Sequence, residues 1–163
     1  MNWRSAFFIQ ARGDNEIRKL LNENQAPYAH QLHYLQMAWE KLAKGVLTLE
    51  DAVDPPEFSH RALVRCLQHL KTDRHLRRLL RYEDSSSFTR FINSLLPLAD
   101  QIERLAPALA GARQPNPEYP WQPLVRGPVE VPVRFGFPQF NPRSQQMDKL
   151  DALLDKLLRF YAP

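Results

Sequence analysis

The chain has 163 residues, enough for one domain with a true hydrophobic core, and its 44% hydrophobic and 25% charged residues are ordinary for a globular protein. Five glycines are too few for a Gly-rich phosphate-binding fold, and a single cysteine, Cys66, excludes an internal disulfide and a Cys-based zinc cage. A net charge of +4 permits a polyanion partner without requiring one.

The opening residues, MNWRSAFFIQARGDNE, hold only a short apolar run broken by Gln10, Arg12 and Asp14. Neither a signal peptide nor a membrane span is expected there, and the cytoplasm is the expected compartment. Residues 3–23 keep helical spacing through Trp3, Ala6, Phe7, Gln10, Ile17, Leu20 and Leu21, with Gly13-Asp14-Asn15 as a point where the helix could bend or break. A short polar connection leads into the most regular stretch of the chain, Tyr28 to Leu47. There Tyr28, Leu32, Leu35, Trp39, Leu42 and Val46 step by three and four residues along one helix face. Pro27 suits a first helical turn, and Gly45 falls where fraying would begin. Two such helices on a short loop predict an αα-hairpin.

Pro55 and Pro56 forbid continuation, and Ser59 is a good N-cap for a third helix starting near His60 and carrying Leu63, Leu67 and Leu70. Leu76, Leu79 and Leu80 are out of phase with that set. A break at Lys71-Thr72-Asp73 is predicted, with Thr72 or Asp73 capping a short new helix. Ser87 to Leu109 reads as a long helix with Phe88, Phe91, Ile92, Leu95, Leu98, Ile102 and Leu105 as its stripe and a kink at Pro97. Prolines cut residues 111–143 too often for helix. Leu124-Val125 and Val129-Glu130-Val131, flanking Arg126-Gly127-Pro128, allow a small hairpin, and Tyr119, Trp121, Phe135, Phe137 and Phe140 argue that the segment packs across the bundle. Ser144 to Tyr161 is a closing helix, apolar at Met147, Leu150, Leu154, Leu157 and Tyr161. The fold class is therefore all-α: one domain over 1–163, with main helices in 1–110, a proline-rich segment in 111–143 and a C-terminal helix in 144–161.

The strongest compositional feature is a basic run: Arg61, Arg65, Lys71, Arg74, Arg77, Arg78 and Arg81, with His69 and His75 between them. Lys71, Arg74, Arg78 and Arg81 would share one stripe on a continuous helix, and arginine forks match phosphates. The competing reading is a solvated charged face. Gln36, Glu40 and Lys44 form a polar flank on the second helix; if the third helix covers it, His60 at that helix's start could reach it, an arrangement suited to a general base or, more simply, to a structural latch. His30 and His33 stand one turn apart but offer only two ligands, so no metal is expected. Cys66 lies among apolar neighbours as a core thiol, and Ser85, Ser86 and Ser87 look like capping residues. No Gly-rich phosphate loop, metalloprotease helix or paired-carboxylate motif is present, and no cofactor is expected.

Several of these residues resemble the pattern of prokaryotic HEPN-domain proteins. They are Ala11 and Asp14, then Gln36-x-Ala38-x-Glu40-Lys41-x-x-Lys44, then Ser59-His60 opening the third helix, and Glu118-Tyr119-Pro120-Trp121 before the last one. The resemblance covers nearly the whole chain. It implies a bundle of four to five helices, usually dimeric, in proteins tied to RNA, nucleotides and toxin–antitoxin or defence systems. Arg65 and His69 do not match the arginine-to-histidine spacing of the family's ribonucleases, so a non-catalytic protein is expected. Its partner would be RNA, a nucleotide or a cognate nucleotidyltransferase-type protein. The alternative is a metal-independent ribonuclease using Arg65 and His69. A homodimer through the first two helices is also expected. Phe7 and Phe8 point to different sides, Trp3 adds apolar surface, and Phe8 is a candidate for the interface. The competing arrangement is a monomer whose proline-rich segment covers that surface.

Overall fold

A computed structural model describes residues 1–52, 61–110 and 113–161, and among them every regular element is helical. Helix α1 (Trp3–Glu23) starts on Asn2, whose side chain accepts the Ser5 N–H at 2.9 Å. It runs unbroken through Gly13-Asp14-Asn15, against the predicted weak point. Asp14 and Asn15 are buried there with their polar groups engaged, so tertiary contacts hold the helix where local propensity is poor. The chain turns at Asn24 and Gln25, the latter at φ 53°, and α2 (Tyr28–Leu47) packs back antiparallel on α1. Pro27 is the residue before that helix rather than its first. Gly45 is not a fraying point. A Cβ on it would lie 2.6 Å from the Phe8 ring, so the glycine is what lets α1 and α2 approach there.

Helix α3 (Ala62–Leu70) ends at the expected break, and Asp73 caps α4 (Arg74–Leu79) by accepting the N–H groups of His75 and Leu76. Helix α5 (Ser85–Glu103) begins on Asp84, which accepts the Ser87 N–H at 2.7 Å. It passes through Pro97, whose ring is on the exposed side, but stops earlier than predicted. Pro107 has no N–H to give the Glu103 carbonyl. The ladder ends, and a single turn, α6 (Pro107–Ala110), follows. Helix α7 (Gln145–Tyr161) starts on Ser144, whose Oγ accepts the Met147 N–H.

The anticipated hairpin is reduced to one antiparallel bridge, Trp121 with Glu130, closed by a turn in which the Gly127 N–H bonds the Leu124 carbonyl. Leu124, Val125 and Val129 beyond the bridge are exposed. The segment does pack on the bundle. Trp121, Phe137 and Phe140 are buried, with Trp121 and Phe137 edge-on to Phe135 at 4.9 and 5.0 Å, while Tyr119 stays exposed.

The core gathers Leu32, Trp39 and Leu42 of α2, Leu63 and Leu67 of α3, Phe88, Ile92 and Leu95 of α5, and Leu150, Leu154 and Leu157 of α7. Helix α3 sits across α2 and α5, and α7 lies against α5 and α1. Phe8 is inside, stacked on Tyr161 at 5.1 Å and pressed on Gly45, so it is a core residue and not the interfacial one. No helix among the described residues is long and apolar enough to cross a membrane.

Candidate functional site

Two polar constellations emerge from this packing, one inside the bundle and one on its surface. The inner one is centred on Glu40. Its carboxylate accepts from Gln36 Nε2 and from Lys44 Nζ, each at 2.6 Å, so three residues one turn apart on α2 form a closed chain. Helix α3 covers that flank. Gln36 and Glu40 face Leu63, Ile102 and Glu103 across a gap too narrow for a water molecule. His60, the expected fourth member, lies outside the described residues.

Glu103, a residue the sequence reading passed over, completes the inner constellation. It is 4% exposed, and its Oε1 accepts the Val64 N–H at 3.0 Å. Arg61 gives α3 no side-chain cap, so Glu103 from α5 serves the first-turn amides instead. Burial pushes its carboxyl above the ordinary range, against the pull of the Val64 and Leu63 amides. The signal was present but faint. Glu103 lies one turn beyond Ala99 and next to Ile102, on the core side of α5. A second buried pair, Lys41 Nζ to Asp14 Oδ2 at 2.9 Å with Gln10 donating to Asp14 at 3.0 Å, ties α1 to α2. Both groups are partly buried and paired within themselves, which suits holding helices together.

The surface constellation lies where α4 ends beside α7. The basic run does not form the stripe that a continuous helix would give. The helix breaks between Lys71 and Arg74, and Arg81 lies beyond α4. Arg61, Arg65, Arg74 and Arg78 are exposed on these separate pieces, and Lys71 is half-buried. Arg65 and His69 are both exposed, one turn apart on α3.

Arg81 alone meets new partners. It sits at φ 62°, the left-handed residue that closes α4, while its N–H and that of Tyr82 bond the Arg78 and Arg77 carbonyls. Glycine is the usual occupant of such a position, and a side chain there costs about 1 kcal/mol. Arg81 lines a cavity of about 480 Å³ together with Leu79, Lys156, Arg159 and Phe160. Among the described residues none of the three cations has an ion pair or a hydrogen bond from its side chain. Phe160 forms part of the apolar wall and is braced by His75, with ring centroids 5.2 Å apart. A smaller hollow of about 190 Å³ adjoins through Lys156 and adds Lys149, Tyr82 and Phe91, the last two stacked at 5.2 Å.

Asp151 and Asp155 of α7 turn to α1, where Arg18 bonds Asp151 at 2.9 Å while Asn15 and Lys19 bond Asp155 at 2.9 and 2.8 Å. Burial raises Asp151 in spite of Arg18. At Asp155 burial is outweighed by the Lys19 and Asn15 hydrogen bonds, which hold the carboxyl low. Lys156 and Arg159 border the end of α4, and Arg159 also borders a second hollow beside α1 with Asp155 and Glu16. Lys156 and Arg159 lie far along the chain from the basic run, and only the docking of α7 brings them to Arg81.

Of the histidines on α2, His33 Nδ1 faces Glu118 at 3.4 Å and His30 is exposed. Cys66 is fully buried, and burial drives its thiol well above the usual range, which leaves it an inert core group. In comparisons with known proteins, the chain matches no family model, no curated protein and no solved structure.

Proposed function

We propose that this is a non-catalytic, HEPN-like helical binding protein whose ligand is single-stranded RNA, held along the junction of α4 and α7. The observation that carries the reading is the cavity in which Arg81, Lys156 and Arg159 surround Leu79 and Phe160 and make no side-chain ion pair among the described residues. Three unpaired cations around an apolar wall suit a ligand that is both anionic and aromatic. Guanidinium and ammonium groups take phosphate oxygens, and an exposed ring offers a base a stacking surface. The adjoining hollow with Lys149 and Tyr82 extends the same pairing of charge and ring, as a strand longer than one nucleotide requires.

Arg81 supports the reading a second way, because it holds a backbone position where glycine would be more stable. The HEPN resemblance adds the RNA association and the cytoplasmic setting. A nucleotidyltransferase-type partner and a toxin–antitoxin role also come from that resemblance, with no residue here that argues for them separately.

Fluorescence anisotropy with a labelled oligouridine tests the reading. Binding should weaken steeply with salt, and the combined change Arg81→Ala, Lys156→Ala, Arg159→Ala should flatten the log–log salt slope by about 2, near 0.7 for each phosphate no longer neutralised. Binding that ignores salt and these substitutions would remove the cavity from the proposal.

A further inference from the structure

Helix α1 carries an anomaly on the side turned away from the bundle. Ala6, Ile9, Gly13, Ile17 and Leu20 fall within about 80° of arc at 100° per residue, centred opposite buried Ala11 and Asn15. Ile9 and Leu20 are 56% and 57% exposed and Ile17 is 40% exposed, Gly13 and Ala6 are half-buried, Ala6 beside Ala52, and no charged residue interrupts the stripe. Gly13 sits at its middle. A glycine inside a helix is destabilising, yet a Cβ there would meet nothing within 4 Å, so nothing among the described residues excludes a side chain.

The stripe is also symmetric. Gly13 is the midpoint of Trp3–Glu23, Ile9 and Ile17 stand four residues to either side, and Ala6 and Leu20 stand seven. From this we infer that α1 pairs antiparallel with α1 of a second copy of this chain, on a two-fold axis through Gly13. In that arrangement Gly13 faces its own counterpart, each Ile9 meets the other copy's Ile17, and each Ala6 receives a Leu20, small against large. A two-fold contact must be self-complementary, and a sequence that reads alike in both directions from a central glycine is what such a contact needs. The glycine lets the two backbones close in where the axes cross.

One helix face about 30 Å long buries less than a standard interface, so the association is weak and depends on concentration. This surface is remote in sequence from Arg81, Lys156 and Arg159 and does not rest on the RNA reading.

Sedimentation of the full chain tests the inference. The native protein should run near 19.1 kDa at about 1 µM and approach twice that mass at about 100 µM. Ile9→Glu with Ile17→Glu sets like charges opposite each other and should weaken association by about tenfold or more. Ile9→Glu with Ile17→Lys sets opposite charges together and should recover most of it, because Ile9 faces Ile17 only in an antiparallel pair. Gly13→Ala should weaken association while raising the thermal midpoint of the dilute monomer, opposite signs that a folding defect cannot give. A native chain that stays near 19.1 kDa at the higher concentration overturns the inference. So do two double variants that behave alike, whether both dissociate or both associate.

Discussion

At the residue scale, the two helix-interior glycines have opposite environments. A Cβ at Gly45 would lie 2.6 and 2.7 Å from Phe8 Cε1 and Cδ1, and the ring is fixed by Tyr161 stacked behind it. Gly45→Ala should therefore cost about 1–2 kcal/mol, overpacking offset in part by better helix propensity. Gly13→Ala should stabilise the monomer by up to about 1 kcal/mol. Urea denaturation of both variants at low protein concentration checks the pair. Lys41 belongs to the same scale. Lys41→Ala leaves Asp14 buried with only Gln10 as a donor and should cost about 2–3 kcal/mol, less than for a fully enclosed pair because Lys41 keeps some exposure.

Glu103 gives a signed pH effect. Its carboxyl is raised in the fold, so the folded state holds the proton more tightly than the unfolded chain. The stability it contributes is present in full below the ordinary carboxyl range and is lost as pH rises through the raised value. Glu103→Gln keeps an oxygen for the Val64 N–H and cannot ionise. The stability difference between variant and native protein should shift in favour of the variant from about pH 4 to about pH 7, read as urea midpoints. A difference that stays constant or moves the other way would mean that burial does not dominate at this carboxyl.

At the element scale, the end of α4 is where local stability and binding conflict. Arg81→Gly relieves the left-handed strain and should raise stability by about 1 kcal/mol while weakening oligouridine binding, since it removes one of the three cations of the cavity. Thermal melts and anisotropy on the same variant read the two effects separately. If binding is unchanged, the arginine is only a helix terminus. Helix α7 is the other element with a divided role. Asp151 and Asp155 fasten it to α1, and that fastening presents Lys156 and Arg159 to α4. On α3, Arg65 and His69 are exposed one turn apart. Both the native chain and His69→Ala should leave RNA intact at the buffer background. A metal-independent cleavage that disappears in this variant would favour the ribonuclease alternative.

At the scale of the whole molecule, the helices were legible because their apolar stripes are long and regular. The bounds of α1 and α2 match their periodicity, and Asp73 marked the start of α4 through ordinary cap chemistry. Sequence also placed Gln36, Glu40 and Lys44 on one flank of α2, since spacing along a helix fixes which side chains are neighbours.

What lay outside its reach was every property set by residues distant in the chain. That Gly45 is a packing glycine depends on Phe8, and that Glu103 caps α3 depends on how α5 crosses it. The end of α5 was readable locally from Pro107 and was passed over in favour of the stripe. Phe8 looked a candidate for the surface because two adjacent aromatics cannot share one helix face. Tertiary packing sent Phe8 inside against Tyr161 and left the apolar exposure to Ile9, Ile17 and Leu20. The basic run promised a stripe that the break at Lys71–Asp73 dispersed, while the cavity with an apolar wall was assembled from Arg81 and two cations near the C-terminal end of α7. Helical periodicity is a property of neighbours along the chain, so the sequence alone determined the elements and the buried faces of α2, α3, α5 and α7, whereas on α1 it pointed to Trp3, Ile17 and Leu20, which are exposed. A cavity is a property of neighbours in space, and only the docking of α7 beside α4 decided where it would form.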